Sequence, residues 1–287
     1  MKRKLIQLSP STSVVSVPKS WAVKNKLVKG TELSVLEVEN KLVISTESTK
    51  TESEILIDIS KLSEDLIWAY IDASYVAGYD SIRVKTKNKE QTTLVGETVK
   101  YFPGLLLFDE TNTSAHLKDI TGETKEDVNK ILNRIFNMII SLLEGSIIAT
   151  KEKDWNFLAQ AKEKDHIINS YCSYCFRQLN RFGFTQLSKI GLLHTLIKLI
   201  EIYSDKIVKV LIESGKKKKT INEAILKDIL ASCKIIQRLH TKYDQEKLLT
   251  LDNLRIKLEK ASEKNTIIQN IAKALFDIEE LEIQLHL

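Results

Sequence analysis

The chain has 287 residues, of which 43% are hydrophobic and 28% are charged, with a net charge of +5. These values are typical of a soluble globular protein with two or three domains. Three cysteines are too few for a disulfide framework, and no run approaches the roughly 18 apolar residues of a membrane helix. We therefore expect a cytoplasmic protein without membrane insertion.

The positive charge is concentrated at the start of the chain. The first 50 residues hold nine Lys and Arg against four Asp and Glu, whereas the remainder balances at 34 of each sign. An opening segment that carries the whole net charge suits a module that contacts a polyanion.

The opening segment is predicted to be rich in strands. Three valine-rich runs, VVSV, ELSVLEV and KLVIS, are typical of strands, and Lys29-Gly30 supplies a turn before the second run. The polar stretch at residues 45–54 is predicted to be a linker. The first domain is therefore predicted to span residues 1–48.

Residues 49–121 are predicted to form a small α/β unit. The run EILIDIS predicts a strand, the next segment has apolar residues at helical spacing, and SIRVKT predicts another strand. Gly78 is suited to end the helix between them, so the order is β-α-β. The glycines are isolated and form no phosphate-binding loop; they are expected at caps and turns.

Residues 122–287 are predicted to form a helical bundle. No proline follows Pro103, and apolar residues recur with helical period from Val128 onward. About six helices in two successive triplets indicate a bundle, with an internal repeat of very low sequence similarity as one interpretation. The fold class is therefore predicted to be multidomain α+β.

Two stretches of the opening segment resemble the AbrB/SpoVT swapped-hairpin DNA-binding domain. They are Val17-Pro18-Lys19-Ser20-Trp21 and Leu27-Val28-Lys29-Gly30-Thr31-Glu32-Leu33. The resemblance covers about 45 residues and implies a homodimer in which two chains interleave their hairpins into one β-barrel. It departs at Ala22, where bacterial members often have an arginine.

DNA binding requires cations that neutralise phosphates, and a dimer would double those of this segment. The predicted DNA-binding residues are Lys2, Arg3, Lys4, Lys19, Lys24, Lys26 and Lys29. The alternative is that these cations only keep a small strand-rich unit soluble.

Acidic residues spaced four apart mark two of the predicted helices. Glu201 and Asp205 share one helix face, and Asp165 and Asn169 form a corresponding stripe on the preceding helix. If these helices form an antiparallel hairpin, the two stripes lie at one level. Such oxygen-rich clustering suits a hard or borderline cation.

The helical region resembles the PhoU family of phosphate-uptake regulators, whose hallmark is a Glu/Asp-x-x-x-Asp motif. Glu201-Ile202-Tyr203-Ser204-Asp205 fits this pattern, and Asp165-His166-Ile167-Ile168-Asn169 fits with Asn169 in place of an acid. The resemblance implies a bound iron, zinc or magnesium ion at Glu201, Asp205, Asp165 and Asn169. Together with the opening segment, the chain resembles the archaeal PhoU-like regulators.

The acidic stripe has an alternative interpretation as a solvated helix face. Its lysine partners would then be Lys198, Lys206 and Lys209. In the second triplet, Asp252 and Asp277 lack an acidic residue four positions later.

We expect a cytoplasmic homodimer that binds DNA, regulates transcription and uses the helical bundle to sense or relay phosphate status. The alternative is a signalling adaptor that docks on a phosphate transporter or its sensor, with the opening segment serving only dimerisation. No nucleophile, base and acid are arranged for catalysis, so an enzyme is not expected.

Overall fold

The computed structural model describes residues 2–38, 40–46, 53–122, 124–183, 186–261 and 266–287. The chain is a mixed α+β protein with small sheets and a helical region toward its C-terminus. It divides into two compact units, Met1–Thr51 and Glu52–Leu287. The predicted boundary between residues 48 and 49 lies outside the described residues. The predicted α/β unit and bundle belong to the second compact unit.

The first unit contains two hairpins and one short helix. Strand β1 (Ile6–Ser9) pairs with β2 (Thr12–Val14), and β3 (Leu33–Val38) pairs with β4 (Lys41–Thr46), both antiparallel. Helix α1 (Lys19–Lys24) lies between them in the chain. The strand predicted at VVSV is wrong beyond its first residue, because pairing with β1 ends at Val14.

A four-stranded sheet opens the second unit. Its strands are β5 (Glu54–Asp58), β6 (Ser81–Lys85), β7 (Leu105–Glu110) and β8 (Ser114–Asp119), in the order β5-β6-β8-β7. Strands β5 and β6 are parallel and the other neighbours are antiparallel. This pairing confirms the predicted β-α-β order.

Two helices accompany the sheet, α2 (Glu64–Val76) and α3 (Lys89–Val99). Helix α2 is followed by Gly78, whose φ of 92° is a left-handed conformation that glycine adopts without a Cβ penalty. The Asn88 side chain caps α3 by accepting a hydrogen bond from the Gln91 backbone at 3.1 Å. Residues that can be recognised in the sequence, Gly78 and Asn88, therefore mark the end of α2 and the start of α3.

The helical region consists of α4 (Val128–Glu152), α5 (Trp155–Ala159), α6 (Ala161–Phe182), α7 (Ile190–Lys217), α8 (Glu223–Thr241), α9 (Gln245–Ala261) and α10 (Thr266–His286). A single 3-10 turn, Leu187–Lys189, precedes α7. The six longer helices form a closed ring in which neighbours pack in the order α4-α6-α7-α10-α9-α8 and back to α4. The two predicted triplets are thus the two halves of the ring.

By length and composition, α4 is the one helix among the described residues that is apolar enough to cross a membrane. Its apolar stripe includes Ile131, Leu132, Ile135, Ile139 and Leu143, all of which are buried in the core. The helix packs against α6 and α8. These contacts are those of a core helix in a bundle.

Candidate functional site

Seven cations of the first unit are exposed. Lys2, Arg3 and Lys4 precede β1, Lys19 and Lys24 begin and end α1, and Lys26 and Lys29 lie between α1 and β3. None of the seven forms an ion pair within the described part of the chain. Within the described residues, their charge is therefore not neutralised by acidic side chains.

The loop that carries Lys26 and Lys29 is held by its own hydrogen bonds. The Lys26 backbone adopts the left-handed conformation, with a φ of 54°. The Leu27 amide donates a hydrogen bond to the Ala22 carbonyl at 2.9 Å. The Thr31 hydroxyl donates to the Val28 carbonyl at 2.9 Å and accepts from the Val28 amide at 3.0 Å. A fixed loop presents its cations with less loss of conformational entropy on binding.

The first unit lacks a hydrophobic core of its own. Among residues 2–46 for which side-chain burial is described, none is buried, and Trp21 is only half-buried. Nine large apolar side chains are between 41% and 75% exposed: Leu5, Ile6, Leu8, Val15, Val23, Val28, Val35, Leu42 and Val43. Single chains rarely leave this much apolar surface in water without a partner.

The structure brings the predicted acidic residues of α6 and α7 together. The Asn169 Nδ2 donates a hydrogen bond to the Asp205 Oδ1 at 3.2 Å. Asp165, one helical turn before Asn169, also interacts with Asp205 and with Glu201. The two stripes therefore lie at one level, as expected for adjacent antiparallel helices. We call these four residues the acidic cluster.

Burial and like charge act together on Asp165. The pKa of Asp165 is raised to about 7. Desolvation is the largest cause, followed by repulsion from Asp205, a hydrogen bond with Asp205, and repulsion from Glu201. Asp165 thus changes charge near neutral pH. The acidic cluster holds more negative charge than its surroundings neutralise.

Two further residues, Lys198 and Asp72, border the acidic cluster. The Lys198 Nζ lies 2.6 Å from the Glu201 Oε1, but burial still raises the pKa of Glu201. Asp72 of α2 accepts a hydrogen bond from the Ser173 hydroxyl at 2.5 Å, and burial raises its pKa. Sequence analysis missed Asp72, whose only signal in the sequence was an acid flanked by the apolar residues Ile71 and Ala73.

The acidic cluster contains two buried oxygen atoms that have no hydrogen-bond partner among the described residues. They are the Asp165 Oδ1 and the Asn169 Oδ1. Carboxylate and amide oxygens are ligands that hard cations prefer, so the donor set fits a divalent ion in its chemistry. Among the described residues, no three His, Cys, Asp or Glu side chains already converge to hold a metal. A cation would have to draw the carboxylates together.

Neighbouring residues with metal-binding chemistry do not extend the acidic cluster. Cys172 and Cys175 are free and buried, and burial raises the pKa of both thiols. His194, which precedes Glu201 on α7, instead stacks on Phe176 with ring centroids 5.1 Å apart. Any cation site here is therefore built from oxygen ligands.

The second triplet of helices has an acidic region that is paired with an arginine side chain. The Arg255 guanidinium of α9 pairs with Asp252, with Glu259 at 2.7 Å and with Glu279 of α10 at 3.3 Å. Burial raises the pKa of Glu279 to about 7 despite this arginine. An arginine thus takes the neutralising role among these three carboxylates, whereas no arginine pairs with the acidic cluster within the described residues.

The fold and these sites define a mixed α+β protein with a basic N-terminal unit and an acidic cluster in a ring of helices. No family model, no curated protein and no solved structure matches the chain.

Proposed function

We propose that this protein is a homodimeric, cytoplasmic, DNA-binding transcriptional regulator. One observation carries the proposal: the first unit combines seven exposed, unpaired cations with apolar side chains that have no core to enter. The cations suit a polyanionic partner, and the apolar side chains suit a second copy of the unit.

Dimerisation follows from the instability of a lone first unit. Isolated two-stranded hairpins are at best marginally stable in water, and this unit has two of them without a shared sheet. The AbrB/SpoVT resemblance implies that two copies interleave into one barrel. Such a barrel would cover Val35, Leu42 and Val43 and would pair the open strand edges. The dimer would then present fourteen cations instead of seven.

The cation types indicate how DNA would be bound. Six of the seven are lysines, which act as mobile point charges toward phosphates and give affinity more readily than base recognition. We therefore propose strong, salt-sensitive binding with limited sequence discrimination from these residues.

The acidic cluster is proposed to be the sensing element. A divalent iron, zinc or magnesium ion would be held by Asp165, Asn169, Glu201 and Asp205 and would neutralise their surplus charge. Such a ligand regulates DNA binding only if its affinity differs between two conformations of the protein. The link to phosphate uptake rests on the PhoU resemblance of these same residues.

A mobility-shift assay with the full-length protein tests DNA binding directly. The variant Lys24→Gln/Lys26→Gln/Lys29→Gln removes charge and keeps long polar side chains. We expect it to bind duplex DNA much more weakly than the unmodified protein, whereas Lys273→Gln, an exposed change on α10, has no effect. Equal binding by both variants would overturn the proposal.

Sequencing the DNA that co-purifies with the native protein connects DNA binding to the signal. Cells grown with abundant phosphate are compared with phosphate-starved cells. We expect enrichment of discrete genomic sites that changes between the two conditions. Capture of a transporter or sensor protein without DNA enrichment would instead support the adaptor function.

A further inference from the structure

A polar cavity lies in the bundle, remote in sequence from the acidic cluster. Its volume is about 340 Å³, and it is bordered by the start of α4, the turn before α7, and the ends of α8 and α10. Its polar lining residues are Asn129, Gln186, Lys189, His240 and His286. Three of these five side chains are cationic or become cationic on protonation.

A buried carboxylate supports the two histidines of the cavity. The Glu282 side chain is completely buried, and neither of its oxygens has a hydrogen bond within the described residues. The Nδ1 of His240 lies 3.5 Å from its Oε1, and the Nδ1 of His286 lies 3.6 Å from its Oε2. A buried carboxylate without a compensating charge is strongly unfavourable, so these imidazoles are its available counter-charges.

Hydrogen bonds identify where protons sit on the two rings. The His240 Nε2 lies 3.1 Å from the Asn129 Oδ1, an acceptor, so this nitrogen carries hydrogen. A neutral His240 would then aim the lone pair of Nδ1 at Glu282. Protonation of Nδ1 replaces that repulsion with a charge-assisted contact. The Glu282 carboxylate therefore faces the Nδ1 of His240 and orients its ring.

His286 is arranged differently. Its Nδ1 lies 2.9 Å from the Glu282 backbone carbonyl, so this nitrogen donates and does not ligate a metal. The Tyr243 ring stacks on the imidazole at a centroid distance of 5.1 Å. The Lys189 Nζ donates to the carbonyl of Leu285, the residue before His286.

The groups around the cavity give its wall a positive character. Glu282 lies behind the histidines and is not part of the lining, whereas Lys189, His240 and His286 are. The other side chains that face the imidazoles from neighbouring segments, Asn129, Phe136 and Tyr243, are uncharged. A ligand inside the cavity therefore meets positive charge and hydrogen-bond donors.

We propose that this cavity binds a small oxyanion, with the Lys189 ammonium and the protonated His286 ring as donors and Glu282 as the positioning residue that orients the two histidine rings. The shared chemistry is that of a carboxylate, sulfate or phosphate group. Because an oxyanion binds the protonated His286 ring more tightly than the neutral ring, binding is tighter at low pH. This inference is independent of DNA binding by the first unit.

Imidazole NMR on the full-length protein tests the site, with sulfate as the probe because its charge is constant between pH 6 and 8. Ionic strength is kept constant with NaCl. We expect saturable shifts of the His240 and His286 signals, assigned with single His→Gln variants, and none of His116 on β8. If sulfate binding is accompanied by the uptake of one proton, the Kd for sulfate rises by up to about tenfold from pH 6 to pH 7.

Matched variants distinguish this site from general charge effects. Lys189→Met should weaken sulfate binding by about tenfold or more, whereas Lys273→Met should leave it unchanged. Glu282→Gln should weaken sulfate binding because the two rings lose the carboxylate that orients them; if that variant does not fold, His286→Gln provides the same comparison through lost affinity. Formate and phosphate titrations at pH 6 then show whether a carboxylate or a phosphate is preferred.

Two results would overturn the proposal. One is the absence of saturable shifts up to about 20 mM sulfate, a range that covers affinities down to the millimolar level. The other is an equal response of the unmodified protein and Lys189→Met, which would mean that sulfate acts elsewhere. DNA binding is measured on the same variants, so that a failure of the oxyanion site is distinguished from a failure of the proposed DNA-binding function.

Discussion

The Arg177 Nη2 of α6 lies 2.6 Å from the Asp119 Oδ2 at the end of β8, and both side chains are at most 2% exposed. The same oxygen accepts a hydrogen bond from Arg181 at 2.7 Å, and Arg177 also donates to the backbone carbonyls of Tyr75 and Tyr79. Burial alone would raise the pKa of Asp119, but hydrogen bonds from Thr121 and Arg177 lower it overall. This ion pair joins the sheet to the helical bundle.

Removing Arg177 should therefore destabilise the second unit strongly. Arg177→Met leaves Asp119 as a buried charge with one fewer partner, and we expect a loss of about 3–5 kcal/mol in the free energy of unfolding. Urea denaturation followed by circular dichroism measures it. The control is Arg83→Met, which breaks an exposed ion pair with Glu54 and should change stability little. Similar stability of both variants would contradict a structural role for the buried pair.

The raised pKa of Asp165 predicts a pH dependence with a definite sign. Its folded-state pKa of about 7 exceeds the ordinary aspartate value of 3.8, so the folded state binds more protons between these values. Stability contributed by this group is present below about pH 4, falls as the pH rises to 7, and is then constant.

In the presence of a chelator, Asp165→Asn should therefore stabilise the protein at pH 8 by about 1 kcal/mol, discounted for the partial exposure of the site. It should have little effect at pH 4. Thermal unfolding at both pH values measures the difference, and Glu163→Gln, an exposed change on α6, is the control. A loss of stability at pH 8 in Asp165→Asn would contradict the raised pKa.

A divalent cation at the acidic cluster should be detectable by elemental analysis. We expect protein purified without chelator to contain near-stoichiometric iron, zinc or magnesium, because a cation relieves repulsion among the carboxylates of the acidic cluster. Glu201→Ala/Asp205→Ala should lose this metal, whereas Asp252→Ala in the second triplet should retain it. Only trace metal in the unmodified protein, with no loss in the double variant, would exclude the metal from this site.

DNA binding by the first unit should depend steeply on salt. Each lysine that contacts a phosphate contributes about 0.9 to the slope of log K against log salt concentration. Three lysines in two copies therefore reduce the slope by up to about 5 in Lys24→Gln/Lys26→Gln/Lys29→Gln. Fluorescence anisotropy at several salt concentrations measures both slopes, and an unchanged slope would remove these residues from the DNA contact.

The exposed apolar side chains of the first unit should hold the dimer together. Val35 and Leu42 are 59% and 63% exposed in the single chain. Val35→Lys/Leu42→Lys places charges on surfaces that we expect a second copy to bury, so the dimer should dissociate and DNA affinity should fall. Sedimentation equilibrium gives the mass. Ile148→Lys, an exposed change on α4, should remain dimeric, and a dimeric double variant would contradict the proposed interface.

Much of the local structure could be predicted from the sequence. The β-α-β order and the two helix triplets follow from periodicity and turn residues, because these properties depend on neighbours a few residues away. The strand predicted at VVSV failed beyond Val14 for the opposite reason, since a strand needs a pairing partner that periodicity does not identify. The break before Ala161, between α5 and α6, was also not predicted.

The sequence by itself determined the concentration of charge in the first 50 residues and the two polar stripes at Asp165 and Glu201. Only the tertiary structure decided that Asp72 borders those stripes, that Glu279 joins the carboxylates around Arg255, and that Glu282 lies between two histidines. The physical reason is that a pKa or a binding site depends on charge and solvent within a few ångströms in space. Helices distant along the chain supply those neighbours, so their identity emerges only when the ring of helices closes.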